Sequence, residues 1–129
     1  MRLQAYFDDS CSEVGEQYFY IDGYIALEKE WKSFIKKWDE VLNAPAPIKV
    51  LHCVDANALK KEFKNFTPEE RDEKLNKFAE VIEHSNLLGI ECRVSKKMFD
   101  KTIRPTAPYS LRTPYFYCFY GILLPLVKY

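Results

Sequence analysis

The chain has 129 residues, 47% hydrophobic and 16% aromatic, which suits one packed domain with one core and excludes a disordered polymer. Its 19 Lys and Arg balance 19 Asp and Glu, so nucleic-acid binding by bulk charge is excluded while a local basic groove is not. The longest apolar stretch, 115–127, is too short to span a bilayer and contains Pro125, so no membrane association is expected.

The cysteines, Cys11, Cys53, Cys92 and Cys118, are far apart and form no CxxC pair, which argues against a zinc cluster. Charged residues interrupt the N-terminus by Asp8, so no secretory signal is expected. Free thiols in a reducing cytoplasm fit this pattern.

In chain order, Leu3 to Asp8 reads as a short strand that ends in two adjacent carboxylates. A turn-rich stretch around Ser12 and Glu13 follows. Gln17 to Leu27 is dense in aromatic and β-branched residues and reads as a second strand, antiparallel to the first. Trp31, Phe34, Ile35, Trp38, Val41 and Leu42 then form one apolar stripe, predicting a helix from about Glu28 to Asn43. Pro45 and Pro47 stop it. Ile48 to Val54 reads as a third strand, and a short helix is expected over Ala56 to Phe63. Thr67-Pro68-Glu69-Glu70 is a helix start with a capping box and Pro at the first helical position; Leu75, Phe78, Ala79 and Ile82 give that helix its buried face, ending near His84. Leu87 to Ser95 reads as a fourth strand. One or two helical turns over Ser95 to Asp100, a loop from Lys101 to Arg112, and a last helix from Tyr115 to about Lys128 complete the chain. That last helix is apolar on nearly every side, and such a helix is normally buried all round. A truncated domain, or a homo-oligomer interface over Tyr115–Leu126, is the expectation.

Carboxylates at a strand tip suit a hard divalent cation, because the strand fixes them while the tip stays wet. The plainer reading of Asp8-Asp9-Ser10 is the start of a turn. Asp22 is a third carboxylate nearby. A hairpin turning at Ser12 and Glu13 sets it opposite Gln4, roughly 13 Å from Asp8 along the sheet and too far to share a metal. His52 and Asp55 close the expected third strand. His52 is either a half-buried histidine bonded to backbone or a ligand or general base. Glu62 is either a candidate site residue or a solvated acid among Lys60, Lys61 and Lys64. Lys97, Arg104 and Arg112, interleaved with Tyr109, could grip single-stranded nucleic acid; an ordinary polar loop is the alternative. No phosphate-binding glycine loop, GxSxG or HExxH is present in the sequence.

Several segments, in order, resemble the domain-of-unknown-function 3800 family of prokaryotic and phage proteins. They are Tyr6-Phe7-Asp8-Asp9-Ser10, Tyr18 to Ile25, Leu51-His52-Cys53, Glu62-Phe63-Lys64-Asn65-Phe66 and Pro114 to Phe119. The resemblance implies a ribonuclease-H-like fold and a metal-dependent, nuclease-like activity using Mg²⁺ or Mn²⁺. It makes Asp8 the lead ligand, with Asp9 standing where the family has Glu, and matches His52 and Glu62 to other polar positions. Cys11 and Asn65-Phe66 depart from the family's Gly and Gly-Trp. Family members usually continue past the last helix, where a further acidic residue lies. A single mixed α/β domain is therefore expected, the N-terminal part of a longer one, with an N-terminal antiparallel hairpin in a sheet of at least four strands. The competing expectation is an inactive remnant or binding module that associates through its last helix.

Overall fold

The computed structural model describes residues 2–11 and 14–127. Ser12 and Glu13, the expected hairpin tip, and Lys128, the expected end of the last helix, lie outside the described residues. In chain order the elements are β1 (Leu3–Ser10), β2 (Tyr18–Leu27), α1 (Glu28–Asn43), α2 (Cys53–Asn57), α3 (Pro68–Glu83), β3 (Leu88–Ser95), α4 (Lys96–Met98) and α5 (Pro114–Val127). Short 3-10 turns occur at Lys61–Phe63 and Tyr109–Leu111, and a π-helical turn at Phe99–Ile103. The class is mixed α/β. Two compact units form, one from Leu27–Leu87 with Arg2, the other from Leu3–Ala26 and the segment from Leu88 on.

The first unit is helical. α1 spans the range its apolar stripe predicts, although Ile35 on the stripe's margin is exposed. Phe34 stacks on Trp38, and Trp38 meets Phe78 of α3 with ring centroids 4.4 Å apart. Ile48, Ala56, Phe63 and Phe78 form the buried centre, flanked by Val41, Leu42, Leu51, Phe66 and Leu75. α3 starts on the expected capping box: the Glu70 amide donates to the Thr67 hydroxyl, and the Thr67 amide donates to the Glu70 carboxylate.

α1 ends differently from most helices. No glycine follows it; Ala44 is extended ahead of Pro45. The C-cap and the loop beyond it are held instead by Lys74 of α3, whose side chain is buried. The Lys74 ammonium donates to the carbonyls of Ala44 at 2.8 Å and Ala46 at 3.0 Å, and more weakly to Leu42 at 3.5 Å. A cation at a helix C-terminus also opposes the negative end of the helix dipole.

The expected strand over Ile48–Val54 does not form, and the described residues contain three strands rather than four or more. The reason lies in who takes the backbone donors. The Ile48 amide donates to Leu42, and the Lys49 and Val50 amides donate to the Glu62 carboxylate at 2.6 and 3.3 Å. Three successive N–H groups are thus already used, and a β-ladder needs alternate ones free. The chain then turns into α2, where the Ala56 amide donates to the His52 carbonyl. The helix expected over Ala56–Phe63 is two pieces, α2 and the Lys61–Phe63 turn, because Leu59 and Lys61 between and within them hold left-handed φ values of 50° and 51°.

The second unit is an antiparallel sheet in the order β1-β2-β3, with α5 packed on it. The β2–β3 register pairs Phe19 with Val94, Ile21 with Cys92 and Gly23 with Ile90. Alternation puts Phe19, Ile21, Cys92 and Val94 on one face, where they meet Phe99, Cys118 and Ile122. A Cβ on Gly23 would collide with the Tyr6 carbonyl oxygen and the Phe7 Cα, so β1 crosses Gly23 at a distance only glycine allows. That approach shifts the hairpin register by roughly three residues from the one expected and carries Asp22 toward the Asp8 end of β1. Asp22 is therefore not held opposite Gln4. The expected loop over Lys101–Arg112 is partly helical: the Arg104 amide closes the π turn onto Phe99, and the Leu111 amide closes the later turn onto Pro108.

α5 runs over the expected range and presents two faces. Cys118 and Ile122 are buried against the sheet, with Phe119 and Leu126 beside them. Phe116, Tyr117, Tyr120, Leu124 and Val127 are exposed on the other side. Among the described residues no helix is long and apolar enough to cross a membrane.

Candidate functional site

Three places hold the residues singled out in the sequence. In the sheet unit, β1 continues through Asp8 and Asp9 to Ser10 before turning. Both carboxylates are exposed, and the Asp9 amide donates to Asp8 Oδ1 at 2.9 Å, which fixes the Asp8 side chain. They line a cleft of about 180 Å³ with Phe7, Ile21, Tyr115 and Phe119. Tyr115 and Phe119 form its aromatic wall, their rings nearly parallel at 11° with centroids 6.4 Å apart. The site thus joins hard oxygen donors to a flat apolar surface.

In the helical unit, His52, Asp55, Lys61 and Glu62 line a cleft of about 250 Å³ with Val50 and Phe63. His52 is exposed and precedes α2, but its side chain makes no capping bond there. Asp55 pairs with Lys61 at 3.5 Å. Glu62 is committed to the Lys49 and Val50 amides and so shapes the loop that leads to His52. Non-glycine residues in left-handed conformations cost energy and collect at functional places, and Leu59 and Lys61 sit in this segment.

The basic residues fall in the segment after β3. Lys97 is exposed on α4. Arg104 is tied to Asp100 at 2.8 Å and lies over the Phe99 ring at 5.4 Å, while Arg112 Nε donates to the Ala107 carbonyl at 3.0 Å. The two arginines brace their own turns, so their guanidinium groups are partly engaged before any phosphate arrives.

The structure therefore groups His52 with Glu62, and Asp8 with Asp9. Among the described residues no group of three or more His, Cys, Asp or Glu side chains could hold a metal ion. Tyr115 and Phe119 escaped the sequence reading as neighbours of Asp8. Their spacing of four marked one helix face, but nothing local tied that face to the β1 tip. No family model, curated protein or solved structure matches the chain.

Proposed function

We propose that the chain is a divalent-metal-dependent, nuclease-like domain of ribonuclease-H-like type, directed at phosphodiester bonds and centred on Asp8. The observation that carries the reading is the exposed Asp8–Asp9 pair at the end of β1, beside the aromatic wall of Tyr115 and Phe119. The donor set fits Mg²⁺ or Mn²⁺. Such ions bind through one or two carboxylates and complete their shell with water and substrate phosphate oxygens, so a cluster of three protein ligands is not required. Bound there, the metal would supply an activated water and neutralise charge on the phosphoryl oxygens. Asp8 would hold it as the single protein carboxylate, because a strand that runs regularly to Ser10 turns Asp8 and Asp9 to opposite faces, and the rings of Tyr115 and Phe119 would stack a base of a single-stranded substrate. His52 and Glu62 carry no step in this reading. The test is thermal melting with and without Mn²⁺, beside Asp8→Ala, followed by cleavage assays on single-stranded DNA and RNA. A metal-induced rise in Tm and metal-dependent cleavage, both lost in the variant, are expected. Equal cleavage by parent and variant would overturn the reading.

A second reading rests on the outer face of α5: a protein-binding module whose partner is a second copy of this chain. Phe116, Tyr117, Tyr120, Leu124 and Val127 are 49%, 37%, 45%, 59% and 82% exposed and carry no charge, so like faces do not repel. Aromatic side chains of this size offer on the order of 100 Å² each at half exposure. Two copies would thus bury roughly 1,000 Å², about the lower bound for a specific interface. Sedimentation across a concentration series should show a dimer that Leu124→Lys dissolves; a monomer at all concentrations would dismiss it.

A further inference from the structure

The core of the sheet unit contains a chemical pair that the proposed activity does not use. Cys92 on β3 packs against the core cluster that contains Cys118 of α5, and its sulfur lies beside Gly121 of the same helix, less than one turn from Cys118. Cys118 is fully buried, while Cys92 is half-buried. The helix is notched to admit the Cys92 sulfur: a Cβ on Gly121 would come within 2.9 Å of it. Burial, with the nearby Cys92 thiol adding to it, pushes the Cys118 thiol up to about 12, so Cys118 alone is inert toward an oxidant in solution. Of these two cysteines only Cys92 keeps exposed surface, so it is the one of the pair that an oxidant meets first.

We propose that Cys92 and Cys118 are an intramolecular disulfide-forming site that locks α5 to β3 under oxidising conditions. The oxidant is a small disulfide such as oxidised glutathione. The Cys92 thiolate attacks one of its sulfurs, the oxidant's S–S bond breaks, and one glutathione thiolate leaves and takes a proton. Cys118 then attacks the Cys92 sulfur of the mixed disulfide, giving up its proton as the second glutathione departs. Two protein thiols lose two electrons and two protons in total, and one oxidised glutathione becomes two reduced ones. The packing of Cys92 against the cluster that contains Cys118 makes the second step intramolecular, so the inert thiol reacts there and nowhere else.

The experiment uses the full chain with Cys11→Ser and Cys53→Ser, since both of those cysteines are exposed. The folded protein is equilibrated with oxidised glutathione, quenched in acid, alkylated with N-ethylmaleimide under denaturing conditions and weighed. The expected product has lost two hydrogens, takes up no maleimide, and gives a linked peptide joining the Cys92 and Cys118 segments. Closing residues 93–117 into a loop should raise Tm by on the order of 10 °C. The chain with all four cysteines, mapped in the same way, must show the same linkage. A glutathione adduct persisting on Cys92, or two maleimides per chain after oxidation, would overturn the proposal. So would any other cysteine pairing in the four-cysteine chain.

Discussion

Replacing Lys74 with Met tests the most unusual contact in the helical unit. The exchange keeps the unbranched chain and removes the ammonium that serves the carbonyls of Ala44 and Ala46 at 2.8 and 3.0 Å. Leu42 keeps a donor, because the Ile48 amide reaches its carbonyl at 2.9 Å. Two carbonyls therefore lose their partner, each costing about 1–3 kcal/mol where water cannot replace it. Against this stands relief from holding a charge in a buried position. Ala46 is exposed and Ala44 half-buried, so water recovers part of the first loss, and the net is a destabilisation of about 2 kcal/mol. At an m-value of about 2 kcal/mol/M, the urea midpoint falls by about 1 M. The pH dependence gives an independent check. Burial, and secondarily the Lys77 ammonium, lowers the Lys74 pKa below the ordinary lysine value. Between the lowered folded value and the unfolded value of 10.5, the unfolded chain binds the extra proton, so stability from this group rises with pH through that window. The gap between parent and Lys74→Met should therefore widen as pH climbs toward 10.5 and stay constant below the window. A variant as stable as the parent would refute the capping argument, and a gap that narrows with pH would refute the dominance of burial in setting the Lys74 pKa.

Gly23→Ala should destabilise the sheet unit by about 2–4 kcal/mol, because the clash is with the β1 backbone and not with a mobile side chain; an unchanged urea midpoint would mean β1 does not cross there. Glu62→Ala should cost about 1 kcal/mol and speed hydrogen exchange at the Lys49 and Val50 amides, with protection at those two amides unchanged if the clamp is absent. Thr67→Ala should lose about 1 kcal/mol and Thr67→Ser recover most of it, since only the hydroxyl oxygen accepts the Glu70 amide. Equal denaturation curves for Thr67→Ala and the parent would remove the capping box from the account.

Elements whose signals are local were legible in the chain. The apolar stripe of α1, the capping box of α3 and the aromatic alternation of β2 each lie within a few turns or one strand, and the structure repeats them closely. Ile48–Val54 was misread because its alternation is a genuine strand pattern, overridden by a carboxylate from a different segment. Lys74 left one faint trace: it stands four residues before Phe78 and so falls on the apolar face of α3. The β1 tip announced its own carboxylates, but the Tyr115–Phe119 wall beside them comes from the far end of the chain. The hairpin register was missed for a similar reason, since it depends on the close passage at Gly23.

The Glu62 clamp also bears on how this chain stays out of trouble. Ile48-Lys49-Val50-Leu51-His52-Cys53-Val54 has the composition of a self-pairing β segment, with high β-propensity and neither Pro nor Gly within it. Its Lys49 and Val50 donors face a carboxylate instead of a neighbouring chain. Glu62 thus acts as a gatekeeper supplied from outside the segment it guards, in place of the flanking charges or prolines that usually blunt such stretches.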